Sequence, residues 1–294
     1  MWLILQIAAM TVAALSGIFD SRSSKQVGNH PRLYLAFFAL VSLPVTVIGL
    51  LTQPFVLKAA LIGLLSGLSF SAALLLYYRA ISQESIVVLA LPGRLVAAMA
   101  LPLNALVFGE SVSIIQIIVF SLLLIGGWMV VNRHRGSTCS LTPRLSRGFW
   151  LMVGVEILYV CQDLFKNMLA IEYDPYMMLT WERAGIVLGA LLALIRQRER
   201  AEVCQTLKAM PTSWRLFLLC RPIMGILISL LAGLAVQSAG TTTIIVIANG
   251  AYPILLATLT WAIDRKWFSN KSSRKRNSNN VSRRNIIRPS LPEW

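Results

Sequence analysis

Seven residues of this chain carry charge where charge is expensive: Arg94, Glu156, Asp163, Lys166, Glu182, Arg183 and Arg221 all stand inside long apolar runs. An ionisable side chain at mid-membrane costs about 2.5–3.5 kcal/mol on insertion scales, so partners or function must keep it there. Arg94 is the most exacting. In "LALPGRLVAAMALPLNALVF", residues 89–108, it follows a Pro-Gly break, and Pro102 interrupts the same helix. The break at Pro92 frees backbone groups that must line a cavity or pack on protein. Arg94 can then neutralise Glu156, or grip a substrate carboxylate or phosphate in bidentate fashion. Glu156, Asp163 and Glu182 are candidate proton carriers. Downstream, "TTTIIVIANGAY" offers Asn249 and Tyr252 as hydrogen-bonding and aromatic surface beside the flexible Gly250. The candidate cavity set is Arg94, Glu156, Asp163, Glu182, Arg221, Asn249 and Tyr252, with no catalytic residue, metal or cofactor expected. A structural reading stands beside it: the charges can be ion pairs that hold helices together. Lys166 and Arg183 can snorkel to an interface, and Thr241–Thr243 can bond back to their own helix carbonyls.

The elements that must position these residues are membrane spans. The chain has 294 residues, 56% of them hydrophobic and 13% charged, with a mean hydropathy of +0.69. Soluble domains average about 25% charged residues, so this composition cannot build a water-facing surface. A hydrocarbon core of about 30 Å needs roughly 20 apolar residues per helix. That ruler gives about nine spans: 1–19, 33–51, 57–78, 86–107, 113–131, 149–170, 176–195, 215–236 and 241–263. The fold class is an all-α integral membrane bundle. β-barrel strands would be half as long and alternating, and none is found.

Charge predicts the orientation. Twenty-two of the 27 Lys and Arg residues fall in the odd-numbered loops and the tail, against only Lys58 on the opposite side. Basic loops stay in the cytoplasm, which puts the N-terminus outside and the C-terminus inside. The first apolar run lacks a basic region before it and reads as a retained span rather than a signal peptide. The net charge of +15 is spread over several short loops, which argues against nucleic-acid binding. The tail from Asp264 is polar and basic and reads as disordered, with anionic lipid as its partner. Cys139, Cys161, Cys204 and Cys220 show no paired spacing, and His30 and His134 lie in loops, so neither a disulfide framework nor a metal cluster is predicted.

Depth sorts the buried charges. Arg94, Glu156 and Arg221 each lie six to eight residues from the same membrane face, hence at one level at about 1.5 Å per residue. Glu182 and Arg183, on a span running the other way, share the level of Asp163 and Lys166. Two polar layers follow: an inner one of Arg94, Arg221 and Glu156, and an outer one of Asp163, Lys166, Glu182 and Arg183. Glu156 and Asp163, seven apart, share a helix face, and Asp163 and Lys166 can pair locally.

The stretches Ala80–Glu110 and Ala235–Arg265 are alike at an offset that sets Arg94 opposite Asn249. With "YYRAISQESIVVLALPGRLVAAMALPLNALVFGESVSIIQIIVFSLLLIGGWMVV", its "GE" turn at Gly109–Glu110, Gly126–Gly127 and Pro253, the chain resembles the drug/metabolite transporter superfamily, of the EamA type. The resemblance is clearest over residues 60–131 and weaker over 215–265. It implies two inverted five-helix repeats with a midplane site, a multi-pass protein of a cell membrane, the bacterial inner membrane in particular, and a small-molecule substrate moved by alternating access with proton or exchange coupling. It leaves room for a homodimer. It also implies a tenth span after residue 265, where this chain has its basic tail, and the "GE" turn is "DR" in the second half. The expected division is 1–131 for the first repeat, 132–148 for a cytoplasmic linker, 149–263 for the second repeat and 264–294 for the tail. The rival function is a non-transporting scaffold or sensor built on a carrier fold. An intramembrane enzyme finds no His-Glu-x-x-His motif, no serine elbow and no histidine inside a span.

Overall fold

A computed structural model describes residues 1–27, 30–81, 83, 100–134, 147–249, 251–252, 254–256 and 258–262. Arg94, residues 135–146 of the expected linker, and the basic tail therefore lie outside the described residues. All regular structure among the described residues is helical: α1 (Trp2–Val27), α2 (Pro31–Thr52), α3 (Leu57–Ile81), α4 (100–108), α5 (Ile114–His134), α6 (Arg147–Glu172), α7 (Pro175–Ala193), α8 (Gln197–Ala209), α9 (Thr212–Ala239) and α10 (Thr242–Asn249). Helix resumes beyond Gly250, and among the described residues the apolar stretch Thr242–Ala262 is one of five long and apolar enough to cross a membrane, with Trp2–Asp20, Pro31–Thr52, Leu57–Ile81 and Thr212–Ala239.

Local chemistry sets the boundaries. Pro31 and Pro175 begin α2 and α7, where a missing N–H costs nothing. Asp174 caps α7 by accepting from the Tyr176 amide at 2.7 Å. Gly240, at φ +65°, closes α9 in the left-handed conformation.

Two expectations are corrected. Hydropathy ends the first span at residue 19, but α1 runs on to Val27 and takes Asp20 into the bundle. No proline or glycine breaks "DSRSSKQV", so helix formation outlasts the apolar run. Polarity makes the connection after residue 195 a loop, but it folds as α8, bent by 104° from α7. Its sequence, "QRERAEVCQTLKA", is rich in good helix formers and too polar to span.

The bundle is apolar on the outside. On α2, Leu40, Leu43, Val47 and Leu51 recur at three- and four-residue steps and are exposed, while Phe38, Ser42, Thr46 and Gly49 face inward. This is the inside-out pattern of a helix surrounded by lipid. The helices pack chiefly as α3 with α6 and α7, α1 with α9, and α2 with α7. Small residues make the α3–α7 contact. A Cβ at Gly67 would collide with the Glu182 carbonyl oxygen and the Gly185 backbone, one at Gly63 with Trp181, and one at Gly189 with Ser71. Backbones this close leave no room for a methyl group.

Gly67→Ala is expected to force α3 and α7 apart, with an overpacking cost of about 1–3 kcal/mol. Gly154→Ala is the control, because its nearest neighbour, Leu76 Cδ1, would lie at 3.6 Å. Thermal unfolding of the purified variants, read by tryptophan fluorescence, should show a lower midpoint for the first and little change for the second.

Candidate functional site

The centre of the site is an ion pair that joins the first helix to the ninth. Arg221 Nε donates to both oxygens of Asp20, at 2.8 and 3.0 Å. Asp20 is 0% exposed. Tyr78 donates its hydroxyl to Asp20 Oδ1 at 2.7 Å, and Tyr77 adds a further hydrogen bond. The Arg221 guanidinium stands 5.2 Å above the Phe38 ring, a cation–π contact strengthened by exclusion of water. Tyr34 stacks on Tyr78 with centroids 3.7 Å apart. Carboxylate, guanidinium and aromatic walls thus come from α1, α9, α3 and α2.

This arrangement corrects the expected inner layer. Depth alone sets Arg221 with Glu156 and Arg94, but its ion-pair partner is Asp20, which hydropathy leaves just past the end of a span. A signal for Asp20 exists in the sequence: Gln6, Ala9, Ser16 and Asp20 fall on one helix face at steps of three, seven and four, and all are buried.

Glu156 lies nearby, half-buried on α6, with neither hydrogen bond nor ion pair among the described residues. Tyr159 and Tyr252 lie within electrostatic range of Glu156, Arg221 and Asp20. The same face of α6 carries Asp163 and Asn167. Asn167 donates to Asn104 Oδ1 of α4 at 3.3 Å. Asn249, at the end of α10, accepts from Gln6 of α1. A polar strip therefore runs down α6 and meets α4 at Asn167.

Of the expected outer layer, Lys166 lies within electrostatic range of Asp163, Glu182 and Arg183. Lys166 Nζ pairs with Asp163 Oδ1 at 2.9 Å, as the three-residue spacing allows. Glu182 Oε1 accepts from Gln162 Nε2 at 2.8 Å and from Ser229 at 3.4 Å. Arg183 Nη2 donates to Ser229 Oγ at 2.8 Å and to the Gly225 carbonyl at 3.0 Å, with Glu182 Oε2 at 3.5 Å. Snorkelling is excluded for both cations, since Lys166 is 8% and Arg183 1% exposed. Arg183 Nε and Nη1 and Glu182 Oε2 have no hydrogen-bond partner among the described residues. Gly225 separates the two arginines: its carbonyl binds Arg183, and a Cβ there would lie 3.7 Å from Arg221 Nη1.

Glu110 of the "GE" turn forms a second inter-helix junction. Its carboxylate accepts from the Thr241 hydroxyl at 2.6 Å, the Thr242 amide and hydroxyl at 2.7 and 3.0 Å, and the Thr243 amide at 2.8 Å. The threonines therefore cap their helix through Glu110 instead of bonding back to its carbonyls. Burial alone would raise the Glu110 pKa, but these hydrogen bonds and the positive end of α10 outweigh it and lower the pKa to about 2. The turn after α4 is thereby tied to the start of α10.

Two ion pairs close the seam. Lys58 Nζ meets Glu172 at 2.7 Å, and Arg32 Nη2 meets Glu199 of α8 at 2.7 Å. Cys161, Cys204 and Cys220 are free, and Cys220 is exposed rather than packed inside. No family model matches this chain, and no curated protein matches it.

Two measurements probe these junctions. Removing one partner of a buried ion pair costs about 3–5 kcal/mol, because the other is left charged and unpaired. Asp20→Ala and Arg221→Ala should each lower the unfolding midpoint sharply, and the double variant should recover part of the loss. Glu110 has a folded-state pKa below its usual value, so the stability it adds is present above about pH 4.5 and disappears as pH falls toward about 2. The midpoint difference between the natural chain and Glu110→Gln should therefore be constant at neutral pH and shrink in acid.

Proposed function

We propose that this chain is a secondary-active carrier, of the drug/metabolite transporter type, that moves a small metabolite by alternating access. The observation that carries the reading is Glu156: a carboxylate within apolar helices that has neither hydrogen bond nor ion pair among the described residues, flanked by Tyr159, Tyr252 and the Asp20–Arg221 pair, on the seam between the two halves of the chain. A purely structural charge would be paired. One without a partner inside a membrane bundle is suited to take and release a proton or a substrate amine or hydroxyl.

The packing supports an inverted repeat. If α1 to α4 correspond to α6, α7, α9 and α10, then α1 against α9 is the counterpart of α6 against α3, and α2 against α7 is its own counterpart. Those are the main contacts of the bundle, apart from α3 against α7, whose counterpart is the smaller contact of α2 with α9. In this scheme α8 is an addition to the second half. The polar strip then lies at the repeat interface, where carriers hold substrate and coupling ion. The Arg32–Glu199 and Lys58–Glu172 pairs lie across the same interface and are suited to serve as gates.

The test is flux of a panel of labelled metabolites into proteoliposomes, with and without a pH gradient. Glu156→Gln removes the charge without breaking a hydrogen bond or ion pair among the described residues, so it should abolish gradient-driven flux while leaving the unfolding midpoint unchanged. Arg94→Ala should also reduce flux, and deletion of residues 268–294 should not. The opposite pattern, function lost with the tail and kept without Arg94 or Glu156, would establish the scaffold instead.

A further inference from the structure

We propose that α8 is a docking surface for anionic phospholipid. The helix joins α7 to α9 and lies at 104° to α7, so it runs across the end of the bundle rather than through it. Its apolar, acidic and basic residues are engaged differently. Val203 and Leu207, four residues apart, pack against the core cluster that contains Tyr34 and Leu218. On the same side Glu199 is held by Arg32 at 2.7 Å, and Glu202 lies 3.7 Å from His30 and 3.8 Å from Arg32. Both acidic residues of the helix therefore face the start of α2.

The basic residues are left open. Arg196 precedes the helix, Arg198 and Arg200 lie in its first turn and Lys208 in its last, and all four are exposed. None forms an ion pair among the described residues. Immediately before these cations, Leu191 and Leu192 are exposed at the end of α7 and Ile195 just past it, and Leu216 is exposed near the start of α9. Exposed cations bordered by exposed aliphatic side chains complement an amphiphile: phosphate on the arginines and acyl chain on the leucines. A soluble anion would satisfy only the cations. An acidic protein or a nucleic acid would leave the aliphatic border in water. The proposal rests on the chain being embedded in a membrane and not on its transporting anything.

The experiment uses the full chain, purified in a neutral detergent, with Arg196→Gln, Arg198→Gln, Arg200→Gln and Lys208→Gln combined in one variant. Phosphatidylglycerol, phosphatidylcholine and soluble glycerol phosphate are added separately, and two quantities are read: lipid retained in native mass spectrometry and the shift in unfolding midpoint. Phosphatidylglycerol should be retained preferentially and raise the midpoint, with phosphatidylcholine and glycerol phosphate giving little. The fourfold variant should retain about a thousandfold less, since four basic residues near an anionic surface together contribute about 4 kcal/mol. Lys58→Gln, which removes a cation at the opposite end of α3, should behave as the natural chain does. If the fourfold variant does not fold, Arg200→Gln alone and the salt dependence of retention by the natural chain decide the matter, because headgroup contacts weaken as salt rises. Equal retention of the two lipids, retention unchanged in the variant, salt-independent retention, or a full shift with glycerol phosphate would each overturn the proposal.

Discussion

The bundle depends on the Asp20–Arg221 ion pair. Taking both charges out of water costs several kcal/mol for each, and attraction in a low-dielectric interior offsets this only when the geometry is good and the remaining lone pairs are satisfied. Both conditions hold here. Arg221 Nε reaches both carboxylate oxygens, Tyr77 and Tyr78 supply further donors, and Phe38 covers the guanidinium. Four helices must be in register for that to happen. Once α1 is fixed against α9 at this depth, its other contacts follow: Ala14 and Ile18 against Leu256, and Gln6 against Asn249.

The same constraint explains why the polar residues fall into groups. The Asp20–Arg221 pair is complete in itself, and so is Asp163–Lys166. Glu182 and Arg183 share Ser229 between them. Among the described residues, what remains is the carboxylate of Glu156, on a helix face that also presents Tyr159, Asp163 and Asn167. Charge that is spent on architecture and charge that is left over are therefore separated along the bundle.

Much of this is legible in the residues. Apolar runs of membrane length give most helices within a few positions, because in lipid the backbone must satisfy its own hydrogen bonds and has few alternatives to helix. The association of Asp163, Lys166, Glu182 and Arg183 follows from counting depth along helices of known rise. Asp20 escapes such a reading because hydropathy places a boundary where polarity begins, whereas a helix ends only where capping or a breaker ends it. The role of Glu110 escapes it for a different reason. Its partners are 131 to 133 residues away, and no local spacing encodes a cap supplied by a distant turn. α8 stays hidden as long as low hydropathy is equated with irregular structure.

The glycine contact between α3 and α7 has a mechanical consequence. Where two backbones touch with no side chains between them, there is no compliant layer to shear or repack. α3 and α7 will translate as a single stiff slab, and α6, packed along the other side of α3, will tend to travel with it. Whatever flexing the bundle permits is confined to the thicker, side-chain-filled boundaries around α1, α9 and α10.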